Sequence, residues 1–289
     1  MANILLLANL NCDHVLSLNH ELHSGGRITY RDQGRRLGGG AANTGTGLLW
    51  AGHRVQVAAR VGSDETGQWL LEQTRGVGLD TEYVECFTGE TGELLILLDV
   101  SGERTILRQQ RRPDLPHRLP EQGVDYLYVN WQGNELKEYM QKMQSCCRVI
   151  AQYPSGTAEL RPAHILIASH CDLDLSDDPW QQARSIGGDK LEWLVITYGE
   201  RGAEAINAEQ KIRVDARPVS VVDTTGAGDA FAGGLIHALA QKLEMKQSLA
   251  MATEWAAFAV SSSSSTPSHE LKAWLRNYPG KSEQPTEPK

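Results

Sequence analysis

The run Val221-Val222-Asp223-Thr224-Thr225-Gly226-Ala227-Gly228-Asp229-Ala230-Phe231 combines small residues, a helix start and two carboxylates. The apolar pair is expected to end a strand at Val222. A turn of small residues follows, and residues 229–243, rich in Ala, Leu and Ile, have the composition of a helix. Amides of Gly226, Ala227 and Gly228 would then point out of the helix start. Small side chains there let an anion approach the backbone, and the helix dipole adds positive potential. An acid beside such a hole has a role in phosphoryl transfer, which needs positioning, charge stabilisation and an acceptor for the proton of the attacking hydroxyl. Asp229 is the candidate base. A bare Gly-x-Gly-Asp would read as a helix cap, a common use of Asp. The full Asp-Thr-Thr-Gly-Ala-Gly-Asp run between strand and helix favours the catalytic role.

A second cluster lies near the start of the chain. Gly38-Gly39-Gly40-Ala41-Ala42-Asn43 opens a helix of small residues. The glycines allow a ligand close to the backbone, and Asn43 offers both a donor and an acceptor to a hydroxyl. Asn11-Cys12-Asp13 follows the first apolar run, where an open α/β sheet forms its ligand crevice. Asp13 can accept two hydroxyl hydrogen bonds, although Asp after a strand is also a common turn former. Other phosphate motifs fail. There is no Gly-Lys-Ser/Thr, and Phe231 stands where the dinucleotide fingerprint has its third glycine.

These residues need a scaffold, and the sequence indicates one. Apolar runs of strand length occur at residues 4–10, 55–61, 126–130, 149–152, 164–168 and 191–197, with helical stretches at 41–52, 67–74 and 135–145. The alternation predicts an α/β fold: a mostly parallel central sheet flanked by helices, with right-handed crossovers. Residues 14–37 and 83–110 alternate polar and apolar and read as hairpins with one wet face. They would form a small sheet covering a cleft, and such a lid excludes water during group transfer. The expected division is a large domain of residues 1–13, 38–82 and 111–279, a lid of 14–37 and 83–110, and a disordered tail at 280–289.

The chain has 289 residues, 40% hydrophobic and 22% charged, with a net charge of -8. This is ordinary globular composition, and its acidity disfavours nucleic-acid binding. The five cysteines form no C-x-x-C pair, so a reducing compartment is expected over a disulfide framework. The first residues lack a basic leader, and no apolar run is long enough to span a bilayer. The expected location is the cytoplasm, with no membrane or nucleic-acid partner.

Together the motifs resemble the ribokinase family, also called the PfkB carbohydrate kinases, over nearly the whole chain. Residues 38–43 match its first signature and Asp223 to Phe231 its second, which is highly specific. Asn11-Cys12-Asp13 lies where the family has its first sugar-binding acid. Val61-Gly62-Ser63-Asp64-Glu65-Thr66-Gly67 looks like its turn after the second large-domain strand. Ile196-Thr197-Tyr198-Gly199-Glu200-Arg201-Gly202-Ala203 looks like its nucleotide-side motif. The resemblance implies a ribokinase-like three-layer fold with a small β-sheet lid, and transfer of the ATP phosphate to a hydroxyl of a small sugar substrate. Asn11, Asp13, Gly39, Gly40, Asn43 and Arg108 would bind the sugar. Thr197, Gly199, Gly202 and Thr253 would bind ATP. Asp229 would act as base, with Gly226, Ala227 and Gly228 stabilising the moving phosphoryl group. It also implies Mg2+ on the ATP phosphates and K+ or another monovalent cation near Asp223 and Thr225. The family's usual Asn-x-x-Glu is replaced here by Ser169-His170-Cys171-Asp172, leaving Asp172 to reach Mg2+ through water.

The lid stretches and their exit carry Arg27, Arg31, Arg35, Arg36, Arg104, Arg108, Arg111 and Arg112. They would suit an anionic substrate, although exposed arginines on a polar face are usually solvated. Gly102-Glu103-Arg104-Thr105-Ile106-Leu107, with the later Gly133-Asn134-Glu135, is similar to ketohexokinases, which favours a ketose or related sugar. Trp131 would stack on a ligand or pack in the core. The rivals are a nucleoside kinase of the same fold, disfavoured because Tyr30 is the only aromatic in the first hairpin, and a catalytically silent sugar or nucleotide sensor. A homodimer through the lid is expected by family analogy.

Overall fold

The computed structural model describes residues 1–101, 103–109, 114–133, 135–154, 159–174, 178–262 and 266–278. Nine strands make the large sheet: β1 (Asn3–Ala8), β4 (Arg54–Gly62), β5 (Asp80–Phe87), β8 (Tyr126–Asn130), β9 (Arg148–Gln152), β10 (Ile165–Ser169), β11 (Trp193–Thr197), β12 (Ala203–Ile206) and β13 (Lys211–Val214). Their order is β13-β12-β11-β10-β9-β8-β1-β4-β5. All pairings from β5 to β11 are parallel, and β12 and β13 add an antiparallel edge. A parallel strand covered on both faces tolerates no polar side, hence the continuous run Leu5-Leu6-Leu7 with all three fully buried. The helices are α1 (Gly40–Trp50), α2 (Glu65–Gly76), α3 (Leu136–Met143), α4 (Pro179–Gly187), α5 (Ala227–Ala240), α6 (Met245–Val260) and α7 (His269–Asn277). Small residues fill α1 and α5, so these two helices and α6 pack closely on one another.

The second sheet has four strands in the order β3-β2-β6-β7: β2 (Asn11–Leu18), β3 (Tyr30–Gly38), β6 (Glu93–Leu98) and β7 (Arg104–Arg108). Its limits differ from the expected lid. Residues 83–87 lie in β5 and pair in parallel with β4, for example Tyr83 with Ala58. An edge strand of an α/β sheet has one wet face, so it alternates just as a hairpin does. At the other limit, β2 starts at Asn11, and Asn11 pairs with Gly38. Asn11, Cys12 and Asp13 are therefore lid-strand residues, not a turn.

Two further expectations are corrected. No strand leads into Asp223: Val221 and Val222 are 61% and 60% exposed. The amides of Val222 and Asp223 instead donate to the Val260 carbonyl, at 2.8 and 3.2 Å, against the end of α6. Two apolar residues alone could not define a buried strand. The helix also starts earlier than expected, at Ala227, so Asp229 sits inside its first turn and Gly226 takes the cap position at φ 75°. The expected tail at 280–289, Arg111, Arg112, Gly102 and Asn134 lie outside the described residues.

One core contact is titratable. His53 and His237 are 4% and 8% exposed, and their rings join through Nε2 and Nδ1 at 2.9 Å. The Ala2 amide donates to His53 Nδ1, so His53 carries its proton on Nε2 and donates it to His237. The His237 ring stacks on Trp255. Burial pushes both imidazoles down to about 4, helped at His53 by the neighbouring ring. Between that value and the ordinary 6.5, the unfolded chain holds more protons than the folded one, so stability rises with pH across this window. Urea unfolding at pH 7 and pH 4.5 is expected to show a loss at the lower pH of which about 2 kcal/mol disappears in His237→Gln.

Candidate active site

The centre of the site is the Asp229 carboxylate in the first turn of α5. Asn43 Nδ2 donates to its Oδ2 at 2.9 Å, and Asn130 Nδ2 reaches Oδ1 at 3.4 Å. Thr44 Oγ1 donates to the Asp229 backbone carbonyl at 3.1 Å. Three elements thus fix one acid: α1 supplies Asn43 and Thr44, the C-terminal end of β8 supplies Asn130, and α5 carries Asp229. Burial raises the carboxyl above its ordinary range, while the two amide donors pull it back. The side chain is half-buried, so it keeps an approach from outside. Asn43 is 5% exposed, and its Oδ1 has no partner among the described residues, which leaves an acceptor beside the acid.

Gly40 makes this convergence possible. A Cβ there would stand 2.9 Å from Asn130 Nδ2 and 3.2 Å from Asp229 Oδ1. Gly38 does the same for the lid strand, where a Cβ would fall 2.1 Å from Asp13 Oδ2. Asp13 is 4% exposed in β2, against the glycine run that opens α1, and Gly39 turns the chain into that helix at φ 88°.

At the start of α5 the amides are not equivalent. Ala227 N–H donates to the Thr224 carbonyl at 3.3 Å, and none of the described residues accepts from Gly228 or Asp229 N–H. The Gly226 N–H likewise has no acceptor among the described residues, so of the three amides expected from the sequence Gly226 and Gly228 are available, joined by that of Asp229. Gly228 is exposed with open space around its Cα. These groups, at the positive end of a helix, can hold an anion.

Asp223 and Thr225 meet a different partner from the expected one. Arg104, on β7 of the lid, ion-pairs with the Asp223 carboxylate and donates to Thr225 Oγ1. Thr225 N–H closes the loop on Asp223 Oδ1 at 2.9 Å. While the guanidinium holds both side chains, they do not fit a monovalent cation.

Thr197 ends β11 beside Ser169, the last residue of β10. Asp172 closes the short 3-10 turn after β10, with Oδ2 accepting from Ser169 N–H at 2.9 Å, and is exposed. Among the described residues no group of three or more His, Cys, Asp or Glu could hold a metal alone. A Mg2+ reached by Asp172 through water and carried mainly on phosphate oxygens fits this donor set. Gly199 and Gly202 have φ 61° and 85° and frame the turn after Thr197. Thr253 is 8% exposed in α6, and its hydroxyl donates to the Ala250 carbonyl of its own helix.

A cleft of about 290 Å³ opens between the two sheets, lined by Asn11, Arg60, Arg108, Asn130, Trp131 and Arg161 among others. Asn130 links this cleft to Asp229. Of the lid arginines named from sequence, Arg108 lines the cleft, Arg104 turns to the loop, and Arg35 pairs with Glu93 at 3.1 Å. Arg27, Arg31 and Arg36 are exposed. Asn130, Arg60 and Arg161 were not foreseen. Asn130 had a usable signal, since it ends a buried parallel strand beside β1, where such sheets gather their ligand residues.

Comparison with known proteins bears on this arrangement. A family model described as "pfkB family carbohydrate kinase" matches residues 9–272. An ATP-dependent ribose-1-phosphate kinase of Halopiger xanaduensis is 24% identical over 251 residues, covering 82% of this chain and 84% of the relative. A ribokinase of Haemophilus influenzae is 23% identical over 278 residues, covering 88% and 91%. The crystal structure of a Thermotoga maritima ribokinase superposes with a TM-score of 0.76 at 17% identity, covering 96% of this chain and 99% of that one.

Gly40→Ala is expected to fold normally, because its side is open enough for Asn130 to give way, but to lower kcat by about 10²-fold through displacement of Asn130 and Asp229. A melting curve beside a coupled assay of ATP consumption checks both halves.

Proposed function

The chain belongs to the PfkB family and is an ATP-dependent carbohydrate kinase, and on that premise we propose that Asp229 is the base which takes the proton from the attacking sugar hydroxyl. The observation that carries this is the half-buried carboxylate held by Asn43 and Asn130 in the first turn of α5, next to amides with no acceptor. As the hydroxyl oxygen attacks the terminal phosphorus of ATP, its proton passes to Asp229 and the bond to the ADP oxygen breaks in line. The amides of Gly228 and Asp229 face the charge on the moving phosphoryl group. Mg2+ would neutralise charge on the nucleotide phosphates when bound, and Asp172 would reach it through water. Thr197, Gly199 and Gly202 lie on the ATP side. Thr253 stands behind them in α6 and contributes packing, since its hydroxyl is spent inside the helix.

The sugar lies in the cleft between the sheets. Asn11 and Arg108 line it, and Asn130 joins it to Asp229, where Asn43, Gly40 and, through the glycine run, Gly39 and Asp13 would complete the sugar site. A ketose or related carbohydrate is the favoured acceptor. The named acceptors of the relatives include ribose and ribose 1-phosphate, so the family relationship spans neutral and phosphorylated sugars. Tyr30, Ile106 and Leu107 are exposed apolar residues on the lid strands, which supports a homodimer through the lid. All five cysteines are free, in keeping with a cytoplasmic protein. No helix among the described residues is long and apolar enough to cross a membrane.

Asp229→Asn is expected to lose about 10²–10⁴-fold in kcat while retaining ATP binding by calorimetry. Turnover that survives this substitution would contradict the assigned base. The acid limb of kcat/KM should lie above the ordinary carboxylate range, because burial raises Asp229. Activity is present above that pKa and lost as pH falls through it. Asn43→Ala removes a donor that favours the charged form, so it should move the limb to still higher pH.

Arg104 already neutralises Asp223, so we expect no K+ requirement. Exchanging K+ for choline should change kcat/KM by less than about twofold, a difference small beside the tenfold that one hydrogen bond to a charged group is worth.

A further inference from the structure

We propose that the wall of the substrate cleft formed by Arg161, Trp131 and Arg60 is an anion subsite, and that the sugar phosphorylated here carries a phosphate or carboxylate group at that wall. This rests on the reading of the cleft as the sugar site and goes further by naming the chemistry of the substrate.

The argument starts from an imbalance of donors. Three residues that line the cleft each carry a buried N–H with no acceptor among the described residues: Arg161 Nε, Trp131 Nε1 and Arg60 Nε. A buried donor without an acceptor costs free energy, so such atoms are rare and need an explanation. Here the unmet groups are all donors, and two belong to guanidinium ions. A neutral sugar hydroxyl can accept one of them. A phosphate or carboxylate, which has several acceptor oxygens and a charge, can meet them together.

Arg161 is the decisive residue. Its side chain is 2% exposed, and among the described residues the only carboxylate that pairs with it is Glu159, 3.9 Å from Nη2. That distance is beyond a hydrogen bond. A guanidinium taken out of water without a close counter-charge is strongly disfavoured unless something pairs with it. Arg60 differs, because its terminal nitrogens meet Glu85 and Asp114, both at 3.4 Å, and only Nε remains for a ligand. Arg108 lines the same cleft without an ion pair among the described residues. Among the described residues the only acid in the lining, Glu93, is already held by Arg35 at 3.1 Å and by Thr66 at 2.9 Å. The cleft therefore presents Arg161 and Arg108 without a close carboxylate among the described residues, and Arg60 with one unmet donor, against one compensated glutamate, in a chain whose net charge is -8. A concentration of positive charge that runs against the charge of the whole protein is suited to an anion.

The site also has an internal polarity. At the Asp229 end, Asn43 Oδ1 is an acceptor without a partner, suited to a sugar hydroxyl. At the Arg161 end the orphans are donors. One substrate with hydroxyls at one end and an anionic group at the other satisfies both.

The test compares a neutral sugar, its monophosphate and the corresponding sugar acid as acceptors, in the wild type and in Arg161→Met. An anionic acceptor should have the higher kcat/KM, and Arg161→Met should raise its KM about 10- to 100-fold while leaving the KM for ATP and for the neutral sugar within twofold. Preference for the monophosphate identifies phosphate as the group, and preference for the acid identifies carboxylate. A neutral sugar preferred over both, or a change confined to the KM for ATP, overturns the subsite while leaving the kinase reading intact. A binding measurement separates the two further. Inorganic phosphate without ATP should raise the thermal midpoint of the wild type by more than that of Arg161→Met, which keeps the α5 amides. If no acceptor turns over, the kinase reading fails, and this difference still decides the subsite, its absence overturning it. Should Arg161→Met not fold, Trp131→Phe removes one donor and keeps the ring, and a phosphate-induced shift undiminished in that variant would count against the wall.

Discussion

One carboxylate has to be kept ionisable in a place that discourages charge. Asp229 lies where the first turn of α1, the end of β8 and the start of α5 meet, and each contributes to its state. Burial pushes it toward the neutral form, and two side-chain amides pull it toward the charged form. A base needs this balance, since too low a pKa leaves it unable to take a proton and too high a pKa leaves it already protonated. Most of the surrounding architecture can be understood as holding three donors and one acid in register. The small residues of α1 let that helix lie close to α5, and Gly40 leaves room for Asn130. The parallel sheet delivers β8 to the same edge as β1.

Much of this was legible in the sequence, for physical reasons. Strands buried on both faces must be largely apolar, so β1, β8, β9, β10 and β11 appeared as short apolar runs, and β4 as a run broken only by Gln56 and Arg60. The two glycine-rich motifs stood out because close backbone approach permits few residue types. The errors fell where one pattern serves two structures. The alternation of β5 suited a lid hairpin and an edge strand equally, and only pairing with β4 decides between them. Val221 and Val222 looked like the end of a strand, yet the backbone there bonds to the end of α6 and leaves both side chains in water.

The arginines show where sequence reading stops. Those on the lid drew attention because they cluster in the chain, and most of them are solvated or paired. Arg161 carries no local signal at all. It stands in a polar stretch between β9 and β10, and its meaning comes from burial, from the distance to Glu159 and from the cleft it faces. Asn130 is intermediate: its position at a strand end was visible, but its bond to Asp229 spans 99 residues. Features that depend on contacts between distant segments have no period or motif to betray them.

The bridge from Arg104 to Asp223 and Thr225 ties the small sheet to the turn that leads into α5. The two cannot separate without leaving the Asp223 carboxylate uncompensated beside the helix start. An open cleft thus carries an extra negative charge beside the helix start, and a shut one carries a compensated pair. On the proposed reading, the electrostatics favourable to transfer arise only when the cover is down, which is also when water is shut out. On that reading the contact that latches the enclosure also guards the nucleotide against being wasted on solvent.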